Sequence, residues 1–326
     1  MNAMNLSMNR FNDVQTHASA VNDWRQTYSQ ISAGNLQSSL AQIKSQRVHA
    51  FREQINQRVV QHGEAPRGKV CFAVPIAIPG AIRMQGREAD ETSLFVLRGG
   101  EEFMFHMPMG MDMLSLTFDS ELFDHALDDS PEAETIEKLL KQPVIRIPTH
   151  RFSECRRRLV AMFSEAIADG TARTQTGFAP NLESAMLDEL MGLLANPHLK
   201  SLERQPTSVH SFIVEKCHHL TVSDTFNPPN VIDLCERLKI SRRTIQNSFK
   251  NVTETTPTHY IRSIRLNGAR RELMSTHSAE LSIGDAASKW GFSHLSHFAA
   301  DYHGLFGELP SQTLRADRRP VATTQH

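Results

Sequence analysis

The spacing of hydrophobic and polar residues divides the chain into a strand-forming part followed by a helix-forming part. Short β-prone runs stand at 71–76, 92–97, 102–107 and 113–118, and Pro and Gly residues separate most of them. From about residue 150 onward, apolar residues recur every three or four positions, which is typical of helices that bury one face. This pattern predicts an α+β protein in which a compact β-barrel or β-sandwich precedes helices.

The rest of the N-terminal two thirds is less regular. Residues 1–45 are polar, and Val21, Trp24 and Tyr28 indicate one short helix there. Two apolar stripes predict a pair of helices at about 150–195. The first stripe comprises Phe152, Cys155, Leu159, Met162, Phe163, Ala166 and Ile167, and the second comprises Leu182, Ala185, Met186, Leu190, Leu193 and Leu194.

One pattern near the C-terminus occurs twice. Residues 231–241 align with residues 283–293, with apolar or small residues at the first, fourth, fifth, eighth and tenth places and Asp at the third. The copies end on Ser241 and Ser293, so each predicts a short helix, a tight turn and a Ser that caps a second helix. One such unit commonly places a helix in the DNA major groove, and two in tandem are a much more specific signal.

The residues after each copy continue this pattern. After the first capping Ser, Ile245, Phe249 and Val252 fall at helical spacing. After the second, the apolar pair Phe298 and Tyr302 is shifted by one residue relative to the first copy. Each copy therefore predicts a second helix with one apolar face.

A long helix is predicted between the copies, over residues 258–275. Its apolar positions are Tyr260, Ile261, Ile264, Leu266, Ala269 and Leu273. Pro257 can occupy its first turn, because Pro lacks only an amide that has no helical partner there. Four arginines give this helix positive charge: Arg262, Arg265, Arg270 and Arg271.

Together, residues 206–316 resemble the DNA-binding domain of AraC-family transcriptional regulators. The resemblance rests on Tyr260-Ile261, Arg265-Leu266, Ala269, Leu273, Ser282-Ile283, Gly291-Phe292, Phe298, Phe306-Gly307 and Pro310. It implies an all-α C-terminal domain with two helix-turn-helix units joined by a linker helix. It also implies an N-terminal cupin-like β-barrel or sandwich that senses a small molecule. Residues 54–59 and the segment after them are similar, more faintly, to sensor domains of regulators of the ethanolamine-utilisation type.

The resemblance implies a domain organisation. The predicted parts are a sensor and dimerisation domain at 1–195, with its barrel at about 45–120 and its helices at about 150–195, a linker at 196–207, a DNA-binding domain at 208–316 and a flexible tail at 317–326. In this family, the helices behind the barrel commonly make the dimer contact. Alternatively, both apolar stripes pack only on the barrel of their own chain.

DNA-contacting residues are expected on the second helix of each unit. They are Ser241, Arg242, Arg243, Thr244, Gln246, Asn247 and Lys250 in the first unit, and Ser293, His294, Leu295, Ser296 and His297 in the second. Arg and Gln can pair with the edges of guanine and adenine, whereas Ser and Lys250 are expected at phosphates. The linker helix is expected to hold the units about 34 Å apart, one turn of the DNA helix.

Four positions need separate interpretation. Lys239 stands where the first turn usually has Gly or another residue that tolerates positive φ, so some strain is expected there. Ala300 and Gly304 occupy positions at which relatives often carry Arg or Lys, so the second unit should bind phosphate less firmly. Trp290 could stack on a base, but it corresponds to Leu238 of the first copy, which favours packing in the core.

Charge is distributed unevenly along the chain. The formal net charge is −1, yet residues 206–326 carry an excess of three positive charges and residues 1–205 an excess of four negative charges. Phosphate neutralisation supplies most of the sequence-independent affinity for DNA. A modest number of salt-sensitive contacts per monomer is therefore expected, and dimerisation would help such a protein to bind.

The sequence gives little support for a metal site or a catalytic site. His106 is the only His inside a convincing strand, which favours a structural role over a metal site. His218 and His219 would point about 100° apart on a helix, so we expect them in solvent or facing phosphate. No Walker, dinucleotide-binding or nucleophile-elbow motif occurs. No metal, cofactor or catalytic residue is expected.

The expected cellular compartment is inferred from the cysteines, from possible membrane spans and from the N-terminal residues. The four cysteines are scattered, which favours buried, reduced thiols over disulfides. No apolar run approaches the length of a membrane span, and residues 1–7 do not have the pattern of a secretory signal. A cytoplasmic, nucleoid-associated protein of bacterial type without a membrane partner is expected.

The predicted function is that of a ligand-responsive transcription regulator and not of an enzyme. Its partners would be double-stranded DNA, a small-molecule effector, a second copy of the chain and, for an activator, RNA polymerase. One alternative is a small-molecule-binding or enzymatic barrel whose C-terminal domain only anchors it to DNA or a partner. Another is a regulator without an effector that is controlled by its abundance.

Overall fold

The protein consists of two structural units. The structure, a computed structural model, describes residues 5–80, 82–170, 179–195, 208–224 and 228–315. The first unit comprises Met1–Tyr28 and Gln37–Thr207, and the second comprises Ser29–Leu36 and Ser208–His326. The predicted linker and tail, at 196–207 and 317–326, lie outside the described residues.

Twelve strands are described. In chain order they are β1 (Asn5–Phe11), β2 (Arg25–Gln30), β3 (Ser38–Lys44), β4 (Val48–Ile55), β5 (Val59–Glu64), β6 (Lys69–Ala77), β7 (Ile82–Met84), β8 (Arg87–Ala89), β9 (Ser93–Arg98), β10 (Glu102–Met107), β11 (Met111–Asp119) and β12 (Val144–Arg146). A seven-stranded sheet has the order β1-β3-β4-β11-β6-β9-β12, and a five-stranded sheet has the order β2-β5-β10-β7-β8. Within the described part of the chain neither sheet closes on itself. The α+β prediction is confirmed. The sequence left a barrel or a sandwich open, and no closed barrel forms among the described strands.

The strands begin much earlier than the expected residue 45. Strands β1, β2 and β3 all precede it, and the short helix α1 (Val14–Ala20) lies before Trp24 instead of around it. Composition misled the prediction here because several polar side chains of this region point into the protein. Ser38 and Gln42 of β3 are buried and hydrogen-bonded to other polar side chains, so the strand lacks a purely apolar inner face.

Four more helices belong to the first unit: α2 (Ser120–Asp128), α3 (Ala133–Leu139), α4 (Thr149–Gly170) and α5 (Ala179–Leu194). Helices α4 and α5 confirm the pair predicted at 150–195. Their apolar stripes join the same core cluster as Phe72 and Phe118 of the large sheet, with Leu159 and Leu190 fully buried. The apolar stripes thus contribute to the core of their own unit.

The second unit is helical. Its helices are α6 (Val209–Ser223), α7 (Val231–Leu238), α8 (Arg242–Thr253), α9 (Pro257–Ser275), α10 (Ile283–Lys289) and α11 (Leu295–Phe306). The predicted pairs α7–α8 and α10–α11 and the long helix between them are confirmed. One core cluster joins Leu266 and Leu273 of α9 to Phe298 and Tyr302 of α11. No helix of the described ranges has both the length and the apolar character that crossing a membrane requires.

A short segment from the N-terminal part of the chain completes this second unit. The backbone N–H of Gln30 donates to Oδ1 of Asn267 at 2.9 Å, and Nδ2 of Asn267 donates back to the Gln30 carbonyl at 2.8 Å. The carbonyl of Leu305 accepts from Gln30 Nε2 at 2.8 Å and from the Gly34 N–H at 3.1 Å. Residues 29–36 are therefore held on α9 and α11 by hydrogen bonds that no local sequence pattern indicates.

Candidate nucleic-acid interface

The first helix-turn-helix unit begins with a doubly hydrogen-bonded cap. The side chain of Asn230 accepts from the N–H groups of Ile232 and Asp233, and the Asp233 carboxylate accepts from the Asn230 N–H at 2.9 Å. This reciprocal arrangement satisfies amide groups that the start of a helix leaves without partners. Helix α7 ends at Leu238, and the next residue, Lys239, adopts the left-handed conformation with φ 53° and ψ 43°. The expected positive φ at this non-glycine position is confirmed.

The second helix of this unit presents a polar face with a positive excess. Ser241 caps it as predicted, because its Oγ accepts from the Thr244 N–H at 3.1 Å. Ile245 and Phe249 are completely buried, which turns the opposite face outward. The exposed predicted residues are Ser241, Arg242, Arg243, Gln246, Asn247 and Lys250, and Thr244 is half-buried.

The electrostatics of this face favour an anionic partner. Among the described residues, the three cations Arg242, Arg243 and Lys250 form no ion pair with a carboxylate. Arg242 and Lys250 line a shallow open groove beside the start of α9, together with Gln246 and Asn247. The amides can donate to and accept from base edges, and the cations can pair with phosphates or guanines.

The second helix-turn-helix unit begins with a similar cap, but the start of its second helix differs from that of α8. Ser282 accepts from the Asp285 N–H at 3.0 Å, and Asp285 accepts from the Ser282 N–H at 3.3 Å. Helix α11 begins at Leu295 with His294 in the cap position, and no side chain caps it. The predicted cap by Ser293 is therefore wrong. The one-residue shift of Phe298 and Tyr302 explains this, because the helix starts one residue later to bury them.

The predicted residues of this second unit are nevertheless accessible. Ser293, His294, Leu295, Ser296 and His297 are all exposed. No Lys or Arg occurs among them, and Ala300 and Gly304 further along α11 are also exposed. This surface can offer hydrogen bonds and an apolar contact from Leu295, but little fixed charge.

The linker-helix arginines mainly stabilise the unit itself. Arg265 donates from Nε to the Trp290 carbonyl at 2.7 Å and from Nη2 to the Gly291 carbonyl, and its guanidinium lies 4.7 Å from the centre of the Phe292 ring. It therefore clamps the turn of the second helix-turn-helix unit to α9. Sequence reasoning assigned it only charge, since nothing local to α9 shows which carbonyls it reaches.

Two other arginines of α9 act in the same way. Arg270 is buried and donates to the Tyr302 hydroxyl at 3.0 Å and to Glu308 at 2.7 Å. Arg262 lies 3.4 Å from Asp301 of α11. Burial lowers the pKa of Arg271 to about 10, so it stays protonated at neutral pH. The charge that can meet DNA is therefore concentrated on α8.

The burial of Trp290 and of His218 decides between the roles that the sequence suggested for them. Trp290 is 5% exposed, and its Nε1 donates to Glu272 at 3.0 Å, so the expected core packing is confirmed. His218 is fully buried, with Nδ1 3.0 Å from the Tyr260 hydroxyl. The expectation that His218 meets solvent or phosphate is wrong, because its side of α6 faces α9, whereas His219 is exposed.

Three of the four cysteines and the strand histidine are buried, and Cys235 is half-buried. Burial raises the pKa of the Cys71, Cys155 and Cys217 thiols to about 12, so they stay protonated. Burial and the nearby Arg83 lower the pKa of His106 to about 3, so it stays neutral. In the described ranges, no three His, Cys, Asp or Glu side chains group as they would around a metal ion.

The similarity to known proteins lies in the C-terminal part of the chain. A family model described as a helix-turn-helix domain matches residues 234–316. An 89-residue stretch is 40% identical to the XylDLEGF operon transcriptional activator of Pseudomonas putida, covering 27% of this chain and 28% of that protein. An 88-residue stretch is 34% identical to a probable thc operon regulatory protein of Rhodococcus erythropolis, covering 27% and 26%. The chain thus spans just over a quarter of the length of these relatives.

One solved structure aligns over more of the chain. It is the AraC-like transcriptional activator CuxR, with 13% identity, a TM-score of 0.43 and coverage of 82% of this chain and 96% of that one.

Proposed function

We propose that the protein is a sequence-specific DNA-binding transcription regulator of the AraC type, because residues 234–316 match a helix-turn-helix family model and the similar proteins are operon regulators. One observation carries the proposal: α8 buries Ile245 and Phe249 and turns outward a face with three cations that no carboxylate of the described residues neutralises. A face of this kind suits double-stranded DNA, because phosphates pair with its cations and base edges with its amides.

The first unit supplies most of the affinity in this proposal. Arg242, Arg243, Gln246 and Asn247 read base edges, and Ser241, Thr244 and Lys250 position the helix on phosphates. Helix α11 adds contacts from Ser293, His294, Leu295, Ser296 and His297. Because this second set carries no Lys or Arg, its contribution depends less on salt than that of α8.

The remaining parts of the proposal concern the whole chain. Residues 1–195 other than 29–36 form the sensor domain, residues 196–207 the linker and residues 208–316, with residues 29–36, the DNA-binding domain. The sensor domain binds a small-molecule effector, and a cavity lined by both sheets of the first unit supports this. The protein acts in the bacterial cytoplasm as a homodimer through a surface other than the buried stripes, and it contacts RNA polymerase if it activates transcription.

Arg243→Ala is the direct test of the reading role. Removing a base-reading arginine typically costs about 1–3 kcal/mol, which is a five- to more than hundredfold loss of affinity. Arg157→Ala is the matched control, because Arg157 is exposed on α4 of the first unit and carries the same charge. The operator would be selected from random duplexes with the wild-type protein and titrated by gel shift. Equal losses for the two variants would contradict the assigned role of α8.

A further inference from the structure

Helices α8 and α11 correspond residue by residue when they are compared from their first residues. Each has 12 residues, and each buries its fourth and eighth positions, which are Ile245 and Phe249 in α8 and Phe298 and Tyr302 in α11. The offset between the two helices is therefore 53 residues, one more than the offset between the helices that precede them. Because the buried positions coincide, the outward positions of α8 and α11 coincide as well.

The outward positions differ in chemistry between the two helices. In order, they are Arg242, Arg243, Gln246, Asn247 and Lys250 in α8, and Leu295, Ser296, Ala299, Ala300 and His303 in α11. All of them are exposed except Ala299, which is half-buried. The arginines, the lysine and the amides of α8 are thus replaced in α11 by one leucine, two alanines, a serine and a histidine.

Leu295 is the largest apolar side chain of this outer face. It is the first residue of α11, where recognition helices contact base edges, and it is 53% exposed. A Cβ at Gly284 of α10 would lie 3.7 Å from Leu295 Cδ1 and 4.0 Å from Cδ2, so the leucine packs over this glycine. One side of the Leu295 side chain is therefore held by α10, and the other side is open.

This outer face suits one particular group of the DNA major groove. All four bases present hydrogen-bonding groups there, but only thymine adds an apolar group, its C5-methyl. The side chains of Leu295, Ala299 and Ala300 have no hydrogen-bonding atoms, so they cannot pair with the polar groups of a base. Contact with a thymine methyl instead removes apolar surface of both partners from water, which is favourable.

From this correspondence we infer that α11 selects thymine by its methyl group, and that Leu295 makes the main contact, with Ala299 and Ala300 beside it. The inference rests on the proposed function and specifies what the second helix-turn-helix unit recognises in the operator. The two units then read different chemistry, since α8 offers hydrogen bonds to guanine and adenine and α11 offers apolar contact to thymine.

Replacement of thymine by uracil tests this contact, because deoxyuridine lacks only the methyl group. The operator selected with the wild-type protein would be synthesised with one deoxyuridine at a time, and each duplex would be titrated by gel shift. Loss of one contacted methyl group should weaken binding about fourfold. Leu295→Ala should weaken binding of the unmodified operator by about fourfold or more. At one or more positions, this variant should no longer distinguish uracil from thymine, which identifies the contacted base.

Ile232→Ala is the matched control for the leucine substitution. Ile232 is 60% exposed and similar in size to Leu295, but it lies on α7, which carries none of the proposed base-reading residues. This variant should therefore keep the full penalty for uracil at every position.

A second comparison separates the methyl group from the rest of the base pair. Cytosine or 5-methylcytosine, each paired with guanine, would replace the thymine that Leu295→Ala identifies. The wild-type protein should bind the 5-methylcytosine duplex about fourfold more tightly than the cytosine duplex, because the methyl group is restored. Equal binding of these two duplexes would contradict recognition through the methyl group.

The inference and the proposed function can fail separately. Equal binding of thymine and uracil duplexes at every position would overturn the inference and leave the DNA-binding role intact. So would uracil penalties that Leu295→Ala leaves unchanged, or an unchanged affinity of this variant for the unmodified operator. A wild-type protein that selects no operator from random duplexes would overturn both the proposed function and this inference.

Discussion

At the residue scale, the turns of the two helix-turn-helix units share a backbone conformation but have different residues at the equivalent position. The first turn has Lys239 and the second has Gly291, and both adopt positive φ. Glycine adopts this conformation without steric cost, whereas a side chain brings Cβ close to the following carbonyl. A Cβ at Gly291 would also lie 2.6 Å from Arg265 Nη2, so the clamp by Arg265 requires the glycine.

Lys239→Gly should stabilise the protein. Relief of the left-handed strain is expected to raise the free energy of unfolding by about 1 kcal/mol. Glu236→Gly is the matched control, because Glu236 is also exposed but lies within α7, where Gly should cost about 1 kcal/mol. Urea unfolding followed by circular dichroism would measure both, and changes of the same sign would contradict this account of the turn.

At the element scale, the linker helix α9 is packed far more closely than its apolar stripe predicted. Buried residues around it include polar Ser263, Asn267 and Arg270. Asn267 holds the 29–36 segment, and Gly268 lies against the ring of Trp290. The helix therefore connects the two helix-turn-helix units by contacts on several faces.

Two Gly-to-Ala substitutions should act in opposite directions. A Cβ at Gly268 would lie 2.3 Å from the Trp290 ring, and such overpacking is expected to cost about 1–3 kcal/mol, partly offset by better helix propensity. A Cβ at Gly304 of α11 meets nothing within 4 Å, so Gly304→Ala should stabilise by up to about 1 kcal/mol. Thermal unfolding of both variants would show whether the Gly268 change is neutral, which would contradict the close contact.

At the scale of the whole molecule, chain order and spatial grouping differ. Residues 29–36 are far from residues 208–315 along the chain, yet they belong to the same unit. His259 Nε2 lies 2.9 Å from the Ile31 carbonyl, and this contact adds to those made by Asn267 and Leu305. The helical unit therefore depends on a segment that a C-terminal fragment would lack.

An isolated 208–326 fragment should consequently be less stable than the same helices in the full chain. Amide hydrogen exchange in α9 and α11 should be faster in the fragment, because Ile31 and the bonds to Gln30 are missing. Asn267→Ala should accelerate exchange in the full chain and have a smaller effect in the fragment. Equal effects of Asn267→Ala in both backgrounds would show that its bonds to Gln30 contribute nothing.

Features set by nearby residues were predictable from the sequence. Helical spacing predicted α4, α5 and the two helix-turn-helix units, and the Ser241 cap needed only a residue three positions away. The exposed face of α8 followed from the burial of Ile245 and Phe249. The failure at Ser293 arose because the one-residue shift of Phe298 and Tyr302 moves the start of α11. The failure at His218 arose because Tyr260, 42 residues further along the chain, covers its side of α6.

The amino-acid sequence by itself determined that the chain is α+β, that its last third carries two helix-turn-helix units, and which face of α8 is polar and cationic. Only the tertiary structure decided that the sheets stay open, that Arg265 clamps a turn, and that Gln30 and Asn267 pair. It alone brought Trp24, Gln26 and Glu53 to one cavity. The physical reason is range: periodicity and capping act within a few residues, whereas these contacts join residues far apart along the chain and exist only once it has folded.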